Sequence, residues 1–331
     1  MAATPLEFRR IVIAGASSLL GSELKSLLEE SRFAASDFRL LDEEAAAGTL
    51  TEAGGEAAVI QPVEEDSFDR AWIVFFAGSP AFTRVNLELA KRSGAHIIDL
   101  SAALGMEDQA AAWLPKFTPS AAPTGGLFRI PSAAAEIIVR LSHALRSLEP
   151  TAVNAVAFQP VSTAGRAGIE ELEAQTGQLL SFQPVGKQIF DAQIAYTLLD
   201  RYGPRSAHSL GSSLETLRGE IRACWPQAAP FPAVLSLHAP VFYGAMVAAC
   251  AFLNASTDGQ AIARLCADSG FTLTAGDNPP TNVSCAGEVS LQLAPPTRDL
   301  SNPAAWWFWA AADNVRLPAM NAVKLAEKLL E

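Results

Sequence analysis

Two sets of residues in this chain could do chemistry: a glycine turn able to hold phosphates, and scattered thiol, imidazole and carboxylate groups. Gly15-Ala16-Ser17-Ser18-Leu19-Leu20-Gly21 lies between a run that reads as a strand, Phe8 to Ala14, and one with helical spacing, Leu19 to Leu28. In that setting backbone N–H groups and the helix dipole can cradle a pyrophosphate. The middle glycine of such a turn lets the backbone approach the phosphate. Ser18 stands at that place, and its side chain is expected to narrow the gap. Asp42-Glu43-Glu44 follows about twenty residues later, where an acid can accept a hydrogen bond from a ribose 2′-OH. Three carboxylates would repel a 2′-phosphate, so NAD is favoured over NADP, while the plainer reading of the run is a solvated loop.

The remaining reactive groups form no recognisable constellation. Cys224, Cys250, Cys266 and Cys285 contain no C-x-x-C pair and the histidines are equally dispersed, so no metal site is expected. Cys250 sits in an apolar run, MVAACAFL, and reads as a core thiol, while Cys285 falls in a segment that reads as strand, far in sequence from any histidine.

The elements that would position these groups alternate. Phe38 to Leu41, Ala71 to Phe76 and His96 to Leu100 read as strands, with a helix over Ala81 to Lys91, which predicts a doubly wound parallel sheet. A Pro/Gly-rich stretch from Ala121 to Pro131 marks a domain boundary near residue 130. Beyond it Ala133 to Leu148 carries a helical period with Arg140 and Arg146 on its polar side. Ala152 to Pro160 alternates like a strand, Gly168 to Leu180 reads as a helix, and Ala233 to Ala251 is a β-rich run broken by Gly244. The second domain is therefore expected to be α+β with a mixed sheet, and a last helix is expected over Asn321 to Leu330. At 331 residues, half of them hydrophobic, the chain suits two such domains.

A net charge of −11 argues against nucleic acid or an anionic membrane as partner. The opening MAATPLEFRR lacks an apolar core, and no run approaches the roughly twenty apolar residues of a membrane span. A reducing, cytoplasmic setting with free thiols is the expectation.

Five segments, in order along the chain, resemble the aspartate-semialdehyde dehydrogenase family. They are GASSLLG, Phe75-Phe76-Ala77-Gly78-Ser79, Ile98-Asp99-Leu100-Ser101, the run Gln159 to Gly168 (QPVSTAGRAG), and Ala312-Asp313-Asn314-Val315-Arg316. The resemblance implies a nucleotide-binding domain over 1–130 with the helix of 314–331, and a dimerisation and substrate-type domain over 131–313. It implies cofactor contacts from Gly15, Ser17, Ser18, Leu19, Leu20, Gly21, Asp42, Gly78 and Asn314, and a substrate-type pocket at Gln159, His238 and Gly105. It also implies a homodimer paired through the second domain, in keeping with the apolar strands Val153 to Phe158 and Ala233 to Leu253.

The same resemblance implies a missing catalytic centre. The family's N-P-N-C-[ST] nucleophile motif corresponds to Ile130-Pro131-Ser132-Ala133-Ala134, which puts Ala133 in the place of the thiol. Its R-V-P-V-x-x-G-H-S motif corresponds to His238 through Met246, which puts Ala245 in the place of the base and His238 in that of a substrate-gripping arginine. Gly105 stands where a second arginine would clamp phosphate. A scaffold, binding or regulatory role follows from these losses. The alternatives are an oxidoreductase without a covalent intermediate, using Tyr243 or His238 as proton donor, and aspartate-semialdehyde dehydrogenase activity itself.

Overall fold

The computed structural model describes residues 9–53, 56–105, 107–117, 126–225 and 230–331. Phe8 and the stretch from Ala121 to residue 125 lie outside them. The chain divides into two compact units, one of Met1–Pro131 with Pro318–Glu331, the other Ser132–Leu317.

The first unit is built on β1 (Arg10–Ala14), α1 (Leu19–Glu29), β2 (Asp37–Asp42), β3 (Leu50–Ala53), β4 (Glu56–Val59), β5 (Gln61–Pro62), β6 (Ala71–Phe76), α2 (Pro80–Arg92), β7 (His96–Asp99), β8 (Ala111–Ala112) and β9 (Leu127–Arg129). Its seven-stranded sheet runs β5-β2-β1-β6-β7-β9-β8, and its strands pair in parallel throughout. The strands read as near-continuous apolar runs because both faces are covered. Ile11, Ile13, Ile73, Phe75 and Ile98 bury one face against Leu24, Leu27 and Leu28 of α1. Val12, Ala14, Val74 and Phe76 bury the other against Phe82, Leu87 and Ala90 of α2.

The second unit continues with α3 (Ala133–Leu145), β10 (Ala152–Gln159), α4 (Gly165–Leu180), α5 (Leu210–Cys224), β11 (Ala233–His238), β12 (Ala245–Phe252), α6 (Gly259–Asp268), β13 (Phe271–Leu273), β14 (Leu291–Leu293), β15 (Thr297–Arg298) and β16 (Ala305–Ala312). The sheet order is β11-β10-β12-β16-β14-β13, with parallel and antiparallel pairs mixed. The final helix α7 (Arg316–Lys328) returns to the first unit, where Ala319, Ala322, Val323, Leu325 and Ala326 join the α1 face of its core. The expected fold class, a doubly wound parallel sheet plus a mixed-sheet α+β domain, is the one found.

Helix starts obey the capping rule. Ser18, Ser79, Ser132, Ser209 and Asp258 each accept from a first-turn N–H, and Pro80 occupies the first turn of α2. One expectation fails within α3. Arg140 does not lie on a polar side; it is 5 % exposed, and its Nη2 pairs with Glu136 Oε1 at 2.6 Å. Its Nη1 also donates to the Ser269 carbonyl at 2.9 Å. α3 has no solvated face at that level because it packs on the sheet with α5 and α6 against it.

Candidate functional site

The glycine turn is held by close approach. Gly15 has φ +94°, and a Cβ there would lie 2.1 Å from the amide nitrogen of Gly78. A Cβ on Gly21 would lie 2.1 Å from the Gly15 carbonyl oxygen. Both ends of the motif are therefore fixed as glycine by packing, whereas Ser18 at its centre has φ −66° and needs no glycine. The expectation that Ser18 narrows the gap is corrected. Its hydroxyl turns inward, accepting from Gly21 N–H at 2.8 Å and donating to the Ala77 carbonyl at 2.7 Å. The N–H groups of Leu19 and Leu20 open α1 and have no partner in the preceding turn of a helix.

Asp42 already holds two backbone N–H groups of the chain. It is 7 % exposed, with Oδ2 accepting from Ser17 N–H at 2.7 Å and Oδ1 from Glu43 N–H at 2.8 Å. It clamps the glycine turn to the end of β2. The carboxylates exposed there are Glu43 and Glu44, and Glu43 Oε1 accepts from the Ser79 hydroxyl at 3.0 Å.

At the end of β7, Asp99 is fully buried and accepts from Ser101 N–H at 2.8 Å, the Ser101 hydroxyl at 2.6 Å and Leu104 N–H at 2.8 Å. Burial pushes its carboxyl above the ordinary carboxylate range against the pull of these donors. Gly105 N–H donates to Asp108 Oδ2 at 2.7 Å, and Arg84 holds Asp108 at 2.6 Å and Glu107 at 3.6 Å. A Cβ on Gly105 would meet the Glu107 carboxylate at 2.2 Å, so acids surround the position where the resemblance implied an arginine.

In the second unit Ala133 is the first residue of α3 and is 1 % exposed. Ser132 caps that helix, accepting from Ala135 N–H at 3.4 Å and donating to Glu220 Oε2 at 2.5 Å. Sequence reading missed this pair, since Glu220 is 88 positions away.

One end of the mixed sheet gathers four of the expected residues. Gln159 and His238 are register partners closing β10 and β11, and Ala245 opens β12 opposite Ala312. Just beyond, Asn314 Oδ1 accepts from Gly244 N–H at 2.8 Å and its Nδ2 donates to Ser162 Oγ at 3.0 Å. Asn314 thus pins the backbone before Ala245, at a Gly244 of φ +95° whose Cβ would meet Asn282 Cα at 2.8 Å. The Gln159 side chain is half-buried and has no hydrogen-bond partner among the described residues, which leaves its amide available to a ligand.

His238 is fully buried, with Nδ1 3.4 Å from the Tyr202 hydroxyl, Nε2 3.3 Å from the Ile194 carbonyl, and the Phe190 ring tilted against it at 6.0 Å between centroids. Burial lowers its pKa and so favours the neutral ring, against the pull of the hydrogen bond to the Ile194 carbonyl. The thiols of Cys250, Cys266 and Cys285 are buried as well, while Cys224 is half-buried. Burial pushes Cys266 up to about 12 and Cys285 up to about 11, far from the thiolate a nucleophile requires. Among the described residues no group of three His, Cys, Asp or Glu side chains is placed to hold a metal, and no helix is long and apolar enough to cross a membrane.

Comparison with known proteins agrees with this architecture. The semialdehyde dehydrogenase NAD binding domain matches residues 10–124, and the semialdehyde dehydrogenase dimerisation domain matches residues 142–317. A USG-1 protein homolog of Azotobacter vinelandii is 30 % identical over 97 % of both chains. Aspartate-semialdehyde dehydrogenase 2 of Vibrio cholerae is 26 % identical, again over 97 % of both. Among solved structures, that of a probable aspartate-semialdehyde dehydrogenase from Pseudomonas aeruginosa superimposes with a TM-score of 0.87 at 26 % identity, covering 98 % of each chain. With both domains matched over most of its length, this chain belongs to the semialdehyde dehydrogenase family.

Proposed function

We propose that this chain is a member of the family that does not carry out thioester chemistry and serves instead as a nucleotide-binding scaffold or regulatory subunit. The observation that carries the reading is Ala133. It opens α3, the helix mouth where the resemblance puts the nucleophilic thiol, and it has no atom that can attack an acyl carbon. Ala245 at the start of β12 has no atom that can move a proton, and Cys250, Cys266 and Cys285 are buried, the last two with thiols pushed well up by that burial. Losing a nucleophile from such a catalytic unit costs on the order of a million-fold.

Nucleotide binding is assigned to residues 1–130 with the helix of 314–331, and subunit pairing to 131–313. NAD rather than NADP is the proposed ligand, because Asp42, Glu43 and Glu44 put negative charge beside the turn. Pairing as a homodimer is supported by the sheet face on which Leu235, Val156, Ala248 and Trp309 lie in register across four strands, with Leu235 48 % and Trp309 37 % exposed. Cysteines held outside disulfides suit a cytoplasmic location.

The test is steady-state formation of NADPH from aspartate semialdehyde, NADP and phosphate by the purified protein. No turnover above a mock purification is expected, and measurable turnover refutes the reading. Calorimetry with NAD and NADP tests the cofactor, and tighter NADP binding would count against the acidic run as its determinant.

A further inference from the structure

Among the described residues two arginines are almost fully buried, and the fold treats them differently. Arg140 is 5 % exposed and is neutralised by Glu136 at 2.6 Å. Arg129 is 7 % exposed and has no carboxylate partner among the described residues. Its Nη1 donates to the Leu104 carbonyl at 3.2 Å, while Nε is buried with no hydrogen-bond partner among the described residues. A guanidinium carries five N–H donors and a charge it does not lose, so burying it with one neutral acceptor is costly. The neighbouring acids do not relieve it. Asp99, its register partner on β7, spends its oxygens on Ser101 and Leu104, and Asp108 is taken by Arg84.

The place of Arg129 in the sheet gives the cost a purpose. It is the last residue of β9, level with Asp99 at the end of β7, on the carboxyl edge of a wholly parallel sheet. That edge is where open α/β sheets bind their ligands. Between β9 and β1, which delivers the glycine turn, stand β7 and β6. Three inter-strand spacings separate them by about 14 Å, so a group held at Arg129 is distinct from a pyrophosphate held at the turn.

We propose that Arg129 is an oxyanion-binding residue, receiving the carboxylate or phosphate of a small ligand at the carboxyl edge of the first unit's sheet. A planar fork suits either group, since both accept two parallel N–H bonds. The inference stands on the first unit alone and does not depend on the loss of thioester chemistry.

Calorimetry on the full chain, at fixed ionic strength, with inorganic phosphate in one arm and malonate in the other, tests it. At least one anion is expected to bind with a dissociation constant of about 1 mM or tighter. Tighter phosphate binding identifies a phosphorylated ligand and tighter malonate binding a carboxylic acid. Arg129→Met should weaken binding at least tenfold, and Arg129→Lys should fall between, since an ammonium keeps charge without the fork. Without anion, Arg129→Met should melt no lower than the natural protein, because it removes an unpaired buried charge. Failure of both anions to bind the natural chain overturns the proposal, as does undiminished binding by Arg129→Met. A lower melting temperature or failure of that variant to fold overturns it too, by making Arg129 a structural residue.

Discussion

Replacing Gly15 with alanine should open the junction between the glycine turn and the loop after β6, and the cost can be separated into its parts. Gly15 and Gly48 both sit at positive φ, +94° and +82°, but a Cβ on Gly48 meets nothing within 4 Å whereas one on Gly15 lies 2.1 Å from Gly78 N. Gly48→Ala therefore measures backbone strain alone, about 1–2 kcal/mol. Gly15→Ala adds a clash that must be relieved by moving backbone by about 1.3 Å to reach ordinary contact, an overpacking cost of about 1–3 kcal/mol. The expected difference between the two variants is thus at least about 1 kcal/mol, and it should be confined to the first unit. Urea denaturation followed by hydrogen exchange of β1 and β6 amides reads it directly. Equal destabilisation by the two substitutions would refute the reasoning, because it would mean that the turn yields without penalty.

Other outcomes follow from groups buried elsewhere. All the histidines, His96, His143, His208 and His238, have pKa values lowered from about 6.5 chiefly by burial. A lowered folded pKa gives stability that is present above the unfolded value and lost as pH falls through the folded one. Urea midpoints should accordingly hold near pH 7–8 and decline below about pH 6.5, and His238→Gln should shallow that decline. Glu136→Ala should cost about 3–5 kcal/mol by stranding Arg140, and the double change with Arg140→Met should recover much of it in denaturant melts. Trp309→Glu should shift light-scattering mass towards the monomer; an unchanged dimer would place the interface elsewhere. Installing Ala133→Cys, Ala245→His, Gly105→Arg and His238→Arg together should not yield an active enzyme, since His238→Arg forces a charge into a closed aromatic cluster and shows first as lost folding in circular dichroism.

The elements were legible where local pattern decides them. Ala71–Phe76 is a continuous apolar run and is found as a strand over those same residues, and the serine before Leu19 caps a helix as its residue type suggests. Side-chain roles were harder to read because they depend on partners far along the chain. Arg140 meets the carbonyl of Ser269, 129 positions away, so its polar appearance gave no sign of a helix packed on every side. The position of Asp42 suggested a nucleotide contact, but gave no sign that its carboxylate also accepts from the N–H of Ser17, because only the tertiary turn brings the two together. His238 aligned with a substrate residue, yet its imidazole is enclosed by Phe190, Tyr202 and Ile194. Arg129 drew no attention at all, because a missing partner has no signature in sequence.

The return of the last helix to the first unit sets an order of assembly on the ribosome. The sheet of β1, β6 and β7 is complete once Arg129 has emerged, but the face carrying Ile11, Ile13, Phe75 and Ile98, covered in part by α1, awaits Ala319 through Ala326 for the rest of its cover. About 200 residues must still be made, which at ~5–20 residues per second takes about 10–40 s. During that interval Ser132–Leu317 can finish folding while its neighbour in sequence still lacks the cover that the last helix gives its sheet. The nascent chain is therefore most prone to chaperone capture, or to association with other nascent copies, over the interval between its two visits to the first unit.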